Sequence, residues 1–215
     1  MPQEFEIIPG DLVLPDLLNG CGMLRLLPAS EYDEIPSLNL RSWCHWYARY
    51  GLPTLELVAW LSVLTNGRKT IEIGSGTGDL AYYLDIQATD SKLQERPEIL
   101  TFYKGLGQPV IRYPDWVEEI DALDAVIKYK PEIVIGSWVT EWIDEDIPPP
   151  PGGGSIFGVK EDLILAQGVV YIMIGNRDIH GTKKIMDLPH EEYPLPFLRS
   201  RAKNPENNVV YIWGR

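Results

Sequence analysis

The chain has 215 residues, of which 45% are hydrophobic and 10% aromatic, enough to form the core of one globular domain. Its 31 acidic and 19 basic side chains give a formal net charge of −12 at pH 7. So large an excess of negative charge repels nucleic-acid phosphates and anionic lipid headgroups. We therefore expect no nucleic-acid partner and no membrane partner.

Cysteine and histidine usage suggests the compartment. The two cysteines cannot build a disulfide framework, and the three histidines show no zinc-type spacing with them. The first residues lack the basic start and long apolar stretch of a secretory signal. The longest apolar tract, residues 163–174, falls short of the roughly 20 residues that span a bilayer. We expect a soluble cytoplasmic protein without a bound metal.

The first 50 residues read differently from the rest. Residues 1–40 contain scattered prolines and no sustained period, which predicts an irregular arm. Residues 41–50 carry aromatic side chains at helical spacing, and Pro53 is suited to open a second helix that ends at Asn66 and Gly67. We therefore divide the chain into an N-terminal arm and helix, residues 1–50, and a main domain, residues 51–215.

Strands and helices alternate along the main domain. Residues 133–135 form a continuous apolar run, typical of a strand that is covered on both faces in a parallel sheet. Asp115 and Glu118 resemble a capping box at the start of a helical stripe that runs to residue 127. Predicted strands are residues 70–73, 86–89, 110–113, 133–135, 169–174, 197–202 and 209–213, and other predicted helices are 79–84, 97–103 and 159–166. This order predicts an α/β fold, a doubly wound and mostly parallel sheet with helices on both faces.

A glycine-rich turn follows the first strand of the main domain. The first of its glycines permits a sharp turn, the second allows close approach of a ligand, and the third lets the next helix pack closely. Its spacing is G-x-G-x-G, one residue shorter than the dinucleotide pattern G-x-G-x-x-G, so a nicotinamide or flavin site is disfavoured. A turn that serves packing alone is the plain alternative. The turn comprises Gly74, Ser75, Gly76, Thr77 and Gly78.

With Glu72 two residues before the first glycine, this segment resembles motif I of the class I S-adenosylmethionine-dependent methyltransferases. The resemblance implies that Gly74, Ser75, Gly76 and Gly78 bind S-adenosylmethionine, whose sulfonium and ammonium groups tolerate an acid such as Glu72. It also implies that an acid at the end of the next strand binds the ribose hydroxyls. Asp90 stands there, although capping of the following helix is an alternative role.

The same resemblance implies further parts of the site. An acid after the third strand would contact the adenine, and we assign this role to Asp115 with Trp116 beside it, helix capping being almost equally suitable for Asp115. Residues after the fourth strand, including Ser137 and Trp138, would border the transferring methyl group. The resemblance further implies a seven-stranded sheet whose seventh strand is antiparallel, with residues 197–215 supplying the last two strands, and an N-terminal arm that serves as a substrate lid.

Methyl transfer is an in-line displacement that needs a base only when the acceptor arrives protonated. Candidate bases are Glu141, His45 and His180, each with an ordinary structural alternative as a loop carboxylate, a half-buried ring or a loop histidine. The aromatic residues Trp43, Trp46, Tyr47, Tyr50, Trp138 and Trp142 would wall an acceptor site or, more simply, belong to the core. Residues 148–154, rich in proline and glycine, are a lid hinge or a plain loop.

The sequence thus predicts S-adenosylmethionine-dependent methyl transfer to a small molecule, or less readily to a protein. A noncatalytic cofactor-binding or accessory protein of the same fold is the alternative. A nicotinamide-dependent oxidoreductase is a third reading, which the glycine spacing disfavours. No sequence signature defines the acceptor, and none defines the oligomeric state.

Overall fold

Short aliphatic runs form the central strands of the molecule. The computed structural model describes residues 14–105, 107–146, 148 and 153–215. Its strands, in chain order, are β1 (Gly51–Leu52), β2 (Thr70–Ile73), β3 (Gln87–Asp90), β4 (Glu118–Glu119), β5 (Ile133–Ser137), β6 (Val170–Asn176), β7 (Glu191–Tyr193), β8 (Arg199–Ser200) and β9 (Asn208–Trp213).

In the described part of the chain, seven strands form one sheet in the order β4-β3-β2-β5-β6-β9-β7. The strands from β4 to β6 pair in parallel, with Ile71 of β2 opposite Val134 of β5 and Val134 opposite Tyr171 of β6. Only β9 runs antiparallel to its neighbours. The prediction of an α/β fold with a mostly parallel sheet is confirmed, and the strand order is compatible with a doubly wound fold.

Helices pack on both faces of this sheet. The side chains of β5 alternate between the faces: Ile133 and Ile135 share a core cluster with the helices over residues 55–65 and 79–84, whereas Val134 shares another with those over 122–129 and 161–165. The described helices are α1 (Ala29–Asp33), α2 (Ser37–Trp46), α3 (Leu55–Thr65), α4 (Asp79–Leu84), α5 (Pro97–Gly105), α6 (Ala122–Tyr129), α7 (Glu161–Leu165) and α8 (Arg177–His180). None of these helices is both long and apolar enough to cross a membrane.

The predicted third strand, residues 110–113, is wrong. These residues are irregular, and the strand beside β3 is β4, where Thr89 pairs with Glu118 and Asp90 with Glu119. The helix predicted to begin at Asp115 begins instead at Ala122, because Asp121 caps it by accepting a hydrogen bond from Leu123 N at 3.0 Å. The observed N-cap, Asp121, lies six residues after the predicted N-cap, Asp115. Glu118 and Glu119, which lie between them, form β4 and pair with β3.

The expectation for residues 197–202 is also wrong in part. Only Arg199–Ser200 is extended there, and it pairs with β1 outside the main sheet. The edge strand next to β9 is β7, whose polar Glu191–Tyr193 segment shows no apolar alternation. An exposed edge strand such as β7 does not need alternating apolar side chains, because its backbone hydrogen bonds to β9 hold it in the sheet.

The N-terminal part of the described chain is anchored to the domain at several points. Its small core contains Leu24, Tyr32 and Trp43, and Asp33 forms an ion pair with Arg199. The Thr54 hydroxyl, which also caps α3, donates to the carbonyl of Phe197 at 3.1 Å. The aromatic helix predicted over residues 41–50 is α2, which ends at Trp46. Residues 1–13 and most of 148–154 lie outside the described residues, so the arm boundary, the lid and the hinge stay predictions.

Candidate functional site

The order of the sheet strands reverses between β2 and β5, and the carboxyl ends of strands at such a point border a crevice. A cleft of about 380 Å³ lies at this edge. Its walls come from the glycine turn, the segments after β3 and β5, the chain before β1 and residues 155–159. The sequence thus brings its strongest motif to the place where open α/β sheets bind ligands.

The glycine turn holds its shape through left-handed backbone angles. Gly74, Gly76 and Gly78 have backbone φ values of 55°, 57° and 71°, which residues other than glycine rarely adopt. Ser75 N donates to the Thr89 carbonyl at 3.0 Å and so ties the turn to β3. Gly74, Ser75 and Gly76 line the cleft, whereas Gly78 is the N-cap of α4 and is packed against Trp116.

Asp90 lies at the end of β3 and faces the same cleft. Its Oδ2 accepts from Gly76 N at 2.8 Å and its Oδ1 from Lys92 N at 2.9 Å. Burial raises the pKa of this carboxyl, while the two backbone donors oppose the rise. Asp90 thus organises the local backbone, whereas the following helical turn, Leu93–Glu95, has no side-chain cap. Binding of the ribose hydroxyls stays a prediction, for which each oxygen keeps lone pairs.

Glu72 is buried beneath the turn and also borders the cleft. Its Oε2 accepts from Ala81 N in α4 at 2.9 Å. Burial raises the pKa of Glu72 to about 8, and the neighbouring Asp79 and Asp90 carboxylates contribute to that rise. At neutral pH the side chain therefore retains its proton in the protein without a ligand.

Ser75 supplies an unused polar group. Its Oγ is buried and has no hydrogen-bond partner within the described residues. A buried hydroxyl without a partner costs stability, and such groups in folded proteins call for an explanation. Because Ser75 lines the cleft, a ligand there is placed to satisfy it.

The sequence analysis missed an ion pair that closes one side of the cleft. Arg49 Nε donates to Asp79 Oδ2 at 2.9 Å, and both side chains are buried. Asp79 also accepts from the Thr77 hydroxyl at 2.6 Å and from Leu24 N at 2.8 Å. The only sequence signal was an acid directly after the last glycine of the turn, and its arginine partner lies 30 residues earlier.

Ser137 and Trp138, at the end of β5, both line the cleft as predicted. Trp138 has a left-handed φ of 60°, which is unusual for an aromatic residue and is held by a hydrogen bond from Trp138 N to the Ile174 carbonyl at 2.9 Å. Its indole packs edge-on against His180, with ring centres 5.2 Å apart. Gly51 lies so close that a β-carbon there would be 2.7 Å from Trp138 Nε1.

Aromatic residues from separate segments complete the wall. Tyr113 lies beside Asp90, and both burial and that carboxylate raise the pKa of Tyr113. Tyr103 of α5 and Tyr50 before β1 continue this wall, and the pKa of Tyr103 is raised by burial and then by Tyr50. Phe157 lines the cleft as well. Of these four residues, the sequence analysis considered only Tyr50, which it placed in an aromatic helix and among the residues that would wall an acceptor site or belong to the core.

Asp115 and Trp116 are not among the described residues that line the cleft. Asp115 is exposed, and the Trp116 ring lies over Gly78 and near Tyr82, with ring centres 6.1 Å apart. They were placed at the adenine because residues 110–113 were expected to form the strand before them. The residues that occupy the cleft on this side are Ile111 and Tyr113.

The three candidate bases are likewise absent from the described cleft lining. The Glu141 carboxylate is buried and accepts from Lys184 N at 2.7 Å. Nδ1 of the buried His180 accepts from Asn176 N at 2.9 Å, and burial lowers the pKa of His180 to about 3. Burial and the nearby Arg201 lower the pKa of the half-buried His45.

Comparison with known proteins adds no identification. No protein-family model matches the chain, and no curated protein matches it significantly. The case for a function therefore rests on the cleft.

Proposed function

We propose that the chain binds S-adenosylmethionine at the glycine turn and transfers its methyl group to an acceptor in the same cleft. The observation that carries the proposal is the convergence of the glycine turn and Asp90, joined by the Gly76 N to Asp90 Oδ2 bond of 2.8 Å. The strand order and the resemblance to motif I support the same reading.

The residues around the turn fit the chemistry of this cofactor. The Asp90 carboxylate retains lone pairs that can accept hydrogen bonds from two ribose hydroxyls. The Ser75 hydroxyl has no hydrogen-bond partner within the described residues and can bind a polar group of the ligand. Asp79 and Asp90 add carboxylates beside the turn, which suit a ligand that carries a sulfonium and an ammonium group, and Glu72 adds a buried carboxyl group there.

When bound, S-adenosylmethionine would supply an electrophilic methyl group that an acceptor lone pair attacks while the carbon–sulfur bond electrons pass to sulfur. The chain itself would contribute orientation and exclusion of water. Trp138 and Phe157 cover the cleft beyond the turn, and Tyr50 covers it from the N-terminal side. His180 supports the cleft wall through its contact with Trp138, Glu141 and His45 lie outside the described lining, and in this proposal the acceptor presents its own lone pair.

Titration calorimetry with S-adenosylmethionine, S-adenosylhomocysteine and NAD tests the proposal. We expect both sulfur compounds to bind and NAD not to bind. Asp90→Asn should weaken binding by about 10- to 150-fold, because a charge-assisted hydrogen bond contributes about 1.5–3 kcal/mol. Binding of NAD alone, or of none of the three, contradicts the proposal.

Two further variants sharpen this test. Glu132→Gln is the matched control, since Glu132 also accepts from a backbone amide, that of Lys69, but lies before β5 at the opposite edge of the sheet. It should leave binding unchanged. Gly76→Arg would place a long side chain at the turn and should abolish binding, and unaltered affinity in that variant would refute the placement. Loss of S-adenosylmethionine during incubation with an acceptor panel then separates an enzyme from a binding protein.

A further inference from the structure

Two rings that line the cleft each carry a guanidinium group on one face. The Arg201 guanidinium carbon lies 3.6 Å from the centre of the Tyr50 ring, and that of Arg96 lies 5.8 Å from the centre of the Phe157 ring. Both distances are within the range of cation–π attraction. Tyr50 and Phe157 come from separate segments of the chain, yet both border the same cleft.

A cation on one face of a ring draws π electron density toward itself, so the remaining ring surface is less negative than that of an isolated ring. Such a surface favours a flat partner that is electron-rich or anionic and disfavours a cationic one. The positive charges of Arg201 and Arg96 act in the same direction. The overall charge of −12 suggests the opposite preference, but local charges decide what a cleft accepts.

Tyr50 and Phe157 belong to segments other than the glycine turn, and we refer to the part of the cleft that they line, together with Trp138, as its aromatic half. Gly51, next to Tyr50, packs against the Trp138 indole at the end of β5, so Tyr50 and Trp138 are neighbours. Thr140 and Ser155 contribute hydroxyl groups to the same region. The acids that line the cleft, Glu72, Asp79 and Asp90, belong to the segments around the glycine turn, and Glu141 directs its carboxylate to Lys184 N.

We propose that this half of the cleft, lined by Tyr50, Trp138, Thr140, Ser155 and Phe157, binds a planar aromatic acceptor that carries a carboxylate. The rings cover the flat part of such a molecule, and the two arginines and the hydroxyl groups attract its charge. The inference rests on the proposed function, because it assigns the other half of the cleft to the cofactor.

Binding of four small probes to protein saturated with S-adenosylhomocysteine tests this inference. The probes are 2-naphthoate, 2-naphthalenemethanol, 2-naphthylmethylamine and cyclohexanecarboxylate, which separate charge from planarity. We expect 2-naphthoate to bind tightest, by about fivefold or more over the neutral alcohol, since one cation–π or ionic contact of about 1 kcal/mol gives this ratio. Equal or tighter binding of the amine overturns the proposal, and so does equal binding of the nonplanar carboxylate.

Variants identify which groups are responsible. Arg96→Gln, at an exposed position, should weaken 2-naphthoate binding by about two- to fivefold and leave S-adenosylhomocysteine binding unchanged. Tyr50→Leu should weaken 2-naphthoate binding by at least as much as Arg96→Gln does. Arg68→Gln is the charge-matched control, because Arg68 precedes β2 at the opposite edge of the sheet. Equal effects of Arg68→Gln and Arg96→Gln contradict the inference.

The same titrations distinguish failure of this inference from failure of the proposed function. If S-adenosylhomocysteine binds and 2-naphthoate shows no preference, the acceptor assignment is wrong while the cofactor assignment stands. If S-adenosylhomocysteine does not bind, the probes are titrated against the protein alone. A retained preference for 2-naphthoate then supports an aromatic-acid site, and its loss overturns the inference together with the proposed function.

Discussion

Arg49 and Asp79 form a buried ion pair in which Arg49 Nε lies 2.9 Å from Asp79 Oδ2. Arg49 belongs to the segment before β1, and Asp79 is the first residue of α4. Arg49 also donates to the carbonyls of Gly22 and Tyr47 at 3.2 Å, so one side chain joins three parts of the chain. The pair therefore fixes the N-terminal segment against the glycine turn.

Removal of Arg49 should destabilise the protein strongly. We expect Arg49→Met to lower the free energy of unfolding by about 3–5 kcal/mol, because it leaves the Asp79 carboxylate buried without its cation. Urea denaturation measures the change. The control is Arg177→Met, which breaks an exposed arginine–carboxylate pair with Glu192 and should cost about 1 kcal/mol or less. Equal decreases in the free energy of unfolding of the two variants would show that burial of the Arg49–Asp79 pair does not increase the cost of breaking it.

Glu72 should make stability fall as pH rises. The folded protein keeps the Glu72 proton up to a pKa of about 8, whereas the unfolded chain loses it near 4.5, so the folded state binds more protons between these values. The free energy of unfolding should therefore decrease from pH 5 to pH 8. Glu72→Gln, whose amide oxygen can still accept from Ala81 N, should remove this part of the slope. Urea titrations at pH 5, 6.5 and 8 measure it, and identical slopes would contradict the raised pKa.

His180 should remain neutral throughout the physiological range. Its pKa of about 3 lies below the ordinary value, so the unfolded chain binds more protons and stability from this group is lost as pH falls below about 6.5. Because Nδ1 accepts from Asn176 N, the proton belongs on Nε2. Nitrogen NMR should show this tautomer and no titration of His180 from pH 5 to 8. A midpoint near 6.5 would instead restore His180 as a candidate base.

A comparison of Gly78 with Gly67 measures how much a crowded β-carbon destabilises the folded protein. Both have positive φ, but a β-carbon at Gly67 would meet nothing within 4 Å, whereas one at Gly78 would lie 2.4 Å from the Trp116 ring. We expect Gly67→Ala to cost about 1 kcal/mol and Gly78→Ala about 1–3 kcal/mol more. Thermal denaturation of Gly78→Ala combined with Trp116→Leu should recover much of the difference. Equal costs at the two glycines would show that the Trp116 contact relaxes freely.

The sequence predicted those parts of the fold that local chemistry determines. The apolar run at 133–135 can only be covered on both faces, and the glycine turn and Asp90 follow strands whose pattern is clear. The strand Glu118–Glu119 was missed because its two charged residues carry no pattern, and pairing with β3 is what makes them extended. Asp115 and Trp116 were misplaced for the same reason.

The residues that line the sides of the cleft were harder to predict than the glycine turn and Asp90. Arg49, Tyr103 and Phe157 reach the cleft from an irregular segment, a helix end and a loop, and no spacing rule connects them. Sequence patterns report neighbours a few residues apart, whereas Arg49 and Asp79 are 30 residues apart and meet only through tertiary packing. The catalytic candidates were selected by residue type and by place along the chain, which do not determine where a side chain points.

The position of β9 determines when the sheet can be completed. This last described strand lies between β6 and β7, so β7 has no partner in the sheet until β9 is in place. The pairing of β1 with β8 likewise joins residues 51 and 200, which brings Arg201 to Tyr50. Contacts between such distant residues form slowly, because closing the long loop between them costs conformational entropy. During synthesis, the glycine turn can therefore form long before the wall that carries Tyr50 and Arg201 exists.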